Sequence, residues 1–206
     1  MIEARALLVR RATRLGWFTV GWNVAEGAIA ISAALVAGSQ ALLGFGLDSG
    51  IESISASILL WRLYAERHDP DRVEQVERRA VKLIGVSFFI LATFVAFDAI
   101  HSLVTISEPD ASPVGIALTA VSLVVMPMLA YKKRRVGREM GSRSVETDSK
   151  QTSACAYLSA VVLVGLVLNA SLGWWWADPI AALGVAVFLV REGREALSAR
   201  HVDDCC

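Results

Sequence analysis

The chain's 206 residues carry 20 Lys and Arg against 20 Asp and Glu and are 55% hydrophobic, with a mean hydropathy of +0.52. A net charge of zero hides an asymmetry along the chain, whose basic clusters alternate with turns that carry none, and nucleic-acid binding is a poor reading of those clusters. Three cysteines (Cys155, Cys205 and Cys206) make no disulfide framework, and three histidines without an H-E-x-x-H pattern argue against a membrane-embedded zinc enzyme.

Met1 to Arg14 has no uninterrupted apolar core after its charges, so it reads as a cytoplasmic tail and not as a cleavable signal. Span one is expected from Leu15 to Val36 and span two from Ala41 to Tyr64, joined by Gly38-Ser39-Gln40 as a tight hinge. His68-Asp69-Pro70-Asp71 stops the second helix, since Pro cannot continue it. Span three covers Val81 to Thr105, and the prolines of Glu108-Pro109-Asp110-Ala111-Ser112-Pro113 mark an outer turn. Span four runs from Val114 to Tyr131, with a kink expected at Pro127, and Lys132-Lys133-Arg134-Arg135 reads as its cytoplasmic stop. Span five extends from Glu146 to Leu172 and span six from Trp175 to Val190. Asp178-Pro179 stands at the start of the sixth helix, and Trp174-Trp175-Trp176 lies where indole rings favour a membrane interface.

The bases decide orientation. They fall into four clusters, Arg5 to Arg14, Arg62 to Lys82, Lys132 to Lys150 and Arg191 to Arg200, while the alternate turns carry none. Six spans with alternating basic loops place both termini in the cytoplasm. The expected fold is an all-α membrane protein with six transmembrane helices. Its expected divisions are a tail over 1–14, the six-helix domain over 15–195 and a short tail over 196–206. Asp48-Ser49 and Asp148-Ser149 hint at an internal repeat of the kind transporters use, though the match is short.

Four carboxylates lie well inside these spans: Glu26, Asp48, Glu52 and Asp98. Each opposes insertion by about 2.5–3.5 kcal/mol, and intramembrane acids mark ion or proton pathways. On this reading no Lys or Arg lies at matching depth, which leaves protonation, a wet cavity or a bound cation as compensation. Asp48 and Glu52, spaced i and i+4, project from one helix face a turn apart and suit one shared divalent ion. Gly44, Gly46, Ser49, Gly50 and Ser53 around them let another helix approach closely. The plain alternative is a pair of protonated carboxyls bonded within the bundle.

On the fifth span Asp148, Gln151, Thr152 and Cys155 share one side. Carboxylate, amide oxygen and thiolate together suit a borderline-soft ion such as zinc, although a buried cysteine is also an ordinary small hydrophobe. Asn23 and Glu26 either line the same cavity, relay protons or hydrogen-bond the second span. Asp98 and His101 stand toward the outer end of the third span, as a plain interhelical bond, as part of an exit or proton path, or as metal ligands. His201, Asp203, Asp204, Cys205 and Cys206 form either a soft-metal capture tail or a tail with no binding role.

Gly38-Ser39-Gln40-Ala41-Leu42-Leu43 leading into Asp48-x3-Glu52 resembles the second span of the cation diffusion facilitator (cation efflux) family. Asp178-Pro179-Ile180-Ala181-Ala182-Leu183 is similar to that family's sixth-span opening. The resemblance takes in nearly all the spans, their number and their orientation. It places the family's paired metal ligands at Asp48 and Glu52 on span two and at Gln151 and Cys155 on span five, with Asp148 an alternative for Gln151 by a small register change. The ligand types depart from the family: no histidine stands in either span, and Cys155 replaces an expected Asp. The chain is therefore similar to a compact, divergent branch lacking the cytoplasmic C-terminal domain and a His-rich loop.

The resemblance implies a homodimer that exchanges divalent cations for protons by alternating access in a bilayer, exporting metal from the cytoplasm; the compactness of the chain points to the inner (plasma) membrane of a bacterium. Zinc is the first choice of transported ion, with Mn2+ and Fe2+ as alternatives; no permanently bound cofactor is expected. Asn23, Glu26, Asp148, Asp98 and His101 are accessory or proton-path candidates. The rival reading is a non-transporting membrane scaffold, or a metal-binding protein, on a degenerate transporter fold.

Overall fold

The computed structural model describes residues 2–37, 40–69, 72–105 and 113–198. Gly38 and Ser39 of the first hinge, Pro70, Asp71, the 106–112 turn and the tail with His201, Asp203, Asp204, Cys205 and Cys206 lie outside the described residues.

Six helices account for nearly all of what is described: α1 (Ile2–Ala37), α2 (Gln40–His68), α3 (Val73–Thr105), α4 (Pro113–Met140), α5 (Arg143–Leu172) and α6 (Ala177–Ser198). Among the described residues, four segments, Ala4–Val36, Leu43–His68, Val73–Thr105 and Pro113–Met140, are long and apolar enough to cross a membrane. α5 and α6 belong to the same bundle, and α5 runs through the uncharged stretch from Cys155 to Leu172. On α5 the polarity faces inward: Thr147, Asp148, Ser149, Gln151, Thr152 and Ser159 are all buried. Outward faces carry Trp17, Phe18, Ile90, Phe97, Val121, Val124 and Val187 in exposed positions, as a lipid-facing surface requires.

Helix limits differ from the expected spans mainly at the basic ends. The first helix begins at Ile2, so the segment read as a tail is helical. Pro127 lies inside an unbroken α4. That helix continues through Lys132-Lys133-Arg134-Arg135 to Met140, and α5 starts at Arg143. The Lys132 to Lys150 cluster is thus a helical hairpin whose tight turn is closed by Ser142 N–H donating to the Gly137 carbonyl at 3.0 Å. Gly141 in the turn has φ +63°, a conformation glycine adopts without strain.

The strongest packing pairs α1 with α2, α3 with α6 and α4 with α5, and α2 also meets α3 and α5. The largest apolar cluster, around Ile84, Phe88, Leu91, Val95, Leu158 and Leu189, ties α3, α5 and α6 together. α4 and α5 touch at Gly137, where an added Cβ would sit 2.8 Å from Glu146 Cγ and 3.0 Å from its backbone nitrogen. Gly137→Val is expected to push the pair apart and lower stability by about 1–3 kcal/mol. The readout is the unfolding temperature in detergent. Gly21→Ala, whose Cβ meets nothing within 4 Å, should leave that temperature unchanged.

Candidate metal centre

α2 and α5 meet in the middle of the bundle, and this contact places the expected ligands. Asp48, Glu52, Gln151 and Cys155 are each no more than 2% exposed. The two carboxyls leave α2 one turn apart, and the Cys155 thiol of α5 lies within reach of both. Both oxygens of Asp48, both of Glu52 and both polar atoms of the Gln151 amide lack a hydrogen-bond partner. Buried polar atoms are almost always paired, so such a concentration of orphans calls for an ion, water or protons to complete it. Around these atoms stand four carboxylate oxygens, an amide oxygen and a thiol, a donor set that suits a divalent metal. Among the described residues no three His, Cys, Asp or Glu side chains are drawn together tightly enough to cage an ion as they stand.

Glu26 of α1 is held differently. Ser49 of α2 donates to its Oε2 at 3.1 Å and Ser122 of α4 donates to its Oε1. Of the alternatives open for this residue, a hydrogen bond to the second span is present, together with one to the fourth. Asn23, one turn earlier, is 1% exposed, and neither its Oδ1 nor its Nδ2 has a partner.

A cleft of about 50 Å3 opens beside the centre between α2, α3, α5 and α6, with Asp48 and Asp98 both on its wall alongside Phe45, Phe94, Leu158 and Ala182. Its walls are mostly apolar, and the carboxyls of Asp48 and Asp98 are the polar groups a water there would bond to. Asp98 is half-buried, and its Oδ2 would lie 3.6 Å from a Cβ added at Gly44. His101, a turn further along α3, stacks on Phe97 with ring centroids 6.2 Å apart and is not among the cleft's walls. Asp98 is thus connected to the centre through the cleft, while His101 stands away from it.

Asp148 is not free. Lys133 Nζ of α4 lies 2.7 Å from its Oδ2, and Ser55 of α2 donates to its Oδ1 at 3.0 Å. Both charged side chains are essentially inaccessible, at 1% and 0% exposure. This corrects the expectation that no base lies at matching depth. Lys133 belongs to the buried stripe Ser122, Met126, Leu129, Lys133, Val136, Met140, a helical period hidden by the run of four bases in which it stands. That spacing was the available signal for it. Ser55 and Ser122 had no comparable signal, because their partners lie 93 and 96 residues away.

The end of the bundle at the α4–α5 turn carries a buried charge network. Arg62 of α2, 2% exposed, bridges Glu66 of its own helix and Glu77 of α3. Glu77 in turn accepts from Ser144 N–H at 2.7 Å and from the hydroxyls of Ser142 and Ser144 at 3.0 and 3.1 Å. A carboxylate there also complements the positive end of α5. Arg5 of α1 joins through Glu66 at 2.7 Å and the Met140 carbonyl at 3.2 Å.

Residues 19–199 match the cation efflux transmembrane domain. Among curated proteins the chain is similar to an uncharacterised transporter of Synechocystis sp., 26% identical over 93% of this chain and 63% of that protein. It is also similar to the magnetosome protein MamB of Magnetospira sp., 21% identical over 87% and 62%, and to transmembrane protein 163 of Xenopus laevis, 22% identical over 91% and 66%. The chain thus spans a little under two thirds of the length of these relatives.

Proposed function

This chain belongs to the cation efflux family, and on that premise we propose that it carries a divalent metal cation across a membrane in exchange for protons, with zinc as the preferred ion. One observation carries the reading: six orphaned polar atoms of Asp48, Glu52 and Gln151 are buried around the Cys155 thiol where α2 meets α5. Asp48 and Glu52 bind the ion as carboxylates, and Gln151 and Cys155 complete the shell as the two helices close on it. Thiol and carboxylate together favour zinc over manganese, which prefers oxygen throughout, and iron(II) stands between them. That the Synechocystis relative is itself named a transporter supports the same activity.

Proton exchange follows from the ligands' chemistry. A protonated carboxyl is a poor ligand, so metal binding displaces protons and acid releases metal. Metal affinity should therefore rise with pH on the side from which the ion enters. The cleft from Asp98 to Asp48 serves as the water path on the outer side, while the Arg62 network closes the inner side. A homodimer in a bacterial inner membrane with both termini cytoplasmic is the assembly and orientation proposed for it.

The test is zinc uptake into proteoliposomes holding a zinc-sensitive dye, with and without an imposed pH gradient. Uptake that follows the gradient is the expected result. No flux of zinc, manganese or iron(II) overturns the reading and favours a scaffold that kept the transporter fold. Cys155→Ser removes the soft ligand, and zinc transport is expected to fall about tenfold more than manganese transport in the same vesicles. Equal losses for the two ions would remove Cys155 from the shell.

A further inference from the structure

The buried Lys133–Asp148 pair has a connection that reaches the proposed ion. Lys133 Nζ also donates to Thr152 Oγ1 at 2.9 Å, and Thr152 stands beside Glu52, which lies within electrostatic reach of the Lys133 ammonium. Lys133 is therefore bonded to Asp148 and Thr152 on the side of α5 that also carries Gln151 and Cys155, within electrostatic reach of Glu52. The charges facing this point are Glu26 from α1, Asp48 and Glu52 from α2, and Asp148 from α5, with Lys133 from α4 the cation among them.

A buried ion pair is weak as a stabilising device, because an apolar pair of the same volume commonly serves a fold as well. Its placement suggests another use. With the ion bound, the carboxylates of Asp48, Glu52 and Asp148 and a Cys155 thiolate set at least four negative charges against the ion's two positive ones, and the Lys133 ammonium offsets one more. In a low-dielectric interior an unbalanced charge is strongly disfavoured. A fixed ammonium there opposes a cation bound nearby and so limits how tightly the centre holds it.

We propose that Lys133 is a tethered counter-cation of the Asp48–Glu52 centre, offsetting part of the centre's negative charge and weakening its hold on a divalent ion enough for release. This rests on the metal-transport reading above. Lys133 acts through Asp148 and Thr152 and is a positioning residue, not a ligand.

The test is the split between KM and kcat for zinc flux, using full-chain Lys133→Gln, Lys133→Arg and Asp148→Asn proteins in liposomes. Lys133→Gln removes the opposing charge: KM is expected to fall about tenfold, equivalent to about 1.4 kcal/mol, and kcat to fall with it as release slows. Lys133→Arg keeps the charge and should keep the wild-type KM. Asp148→Asn, which retains a partner for Ser55, frees the ammonium toward Glu52, and KM should rise about tenfold. A purely structural pair would change the amount of folded protein and leave KM alone in every variant. An unchanged or higher KM in Lys133→Gln overturns the proposal. If that variant does not fold, an unchanged or lower KM in Asp148→Asn overturns it instead. Wild-type protein without zinc flux or binding would sink the metal reading first and this inference with it, whereas a working wild type with unmoved variants sinks this inference alone.

Discussion

Asp48→Asn combined with Glu52→Gln is expected to abolish metal flux, by about a hundredfold or more, while leaving the protein folded. Outer-shell partners of metal ligands alone are worth about 10–100-fold in affinity or activity, and these are proposed ligands themselves. The substitutions conserve shape and remove both negative charges. Their four oxygens hold no hydrogen bond in the bundle, so no partner is orphaned by the change. Buried charge opposes folding, and the variant's unfolding temperature in detergent should therefore equal or exceed that of the wild type. Flux that survives the double substitution would remove the second helix from the transport site. Lost flux with a collapsed unfolding temperature would assign the two acids to the fold.

Arg62→Met should produce the largest loss of stability, about 3–5 kcal/mol, the range for removing one partner of a buried ion pair. Methionine keeps most of the stem's packing but leaves Glu66 and Glu77 without the base between them. Glu77 retains its bonds from Ser142 and Ser144, so α5 keeps its start while the link from α2 to α3 is lost. Thermal unfolding in detergent reads the stability. Since the same residues are proposed to close the inner side, proteoliposomes of Arg62→Met should also leak metal without a pH gradient. Wild-type stability in this variant would show that the network is dispensable.

The acids at the centre of the bundle were legible because they break a rule. A charge in a 20-residue apolar run has few explanations, and spacing of i and i+4 puts Asp48 beside Glu52 whatever surrounds the helix. The same logic collected Gln151 and Cys155 on one side of α5. It failed at Lys133. There the side chain stood in a run of bases at the end of an apolar stretch, which is how a cytoplasmic stop reads. Only the continuation of α4 to Met140 and its close approach to α5 at Gly137 carried that residue inward. Glu26 shows the limit in the other direction: its burial was readable, but its hydroxyl partners on α2 and α4 were not.

The sequence by itself determined the helical class, the alternation of basic ends, the order of the helices and the one-turn spacing of the paired side chains on α2 and on α5. These depend on local periodicity, on the length of apolar runs and on where charge is tolerated in a bilayer. The tertiary structure alone decided which acids found partners. Asp148 gained Lys133, Glu26 gained two serines, Asp98 gained a cleft to Asp48, and Asp48 and Glu52 gained none. The physical reason is that a polar group's partner in a membrane bundle is fixed by which helix lies opposite. That choice comes from small-residue packing and helix pairing summed over the whole bundle, and no window of sequence contains it.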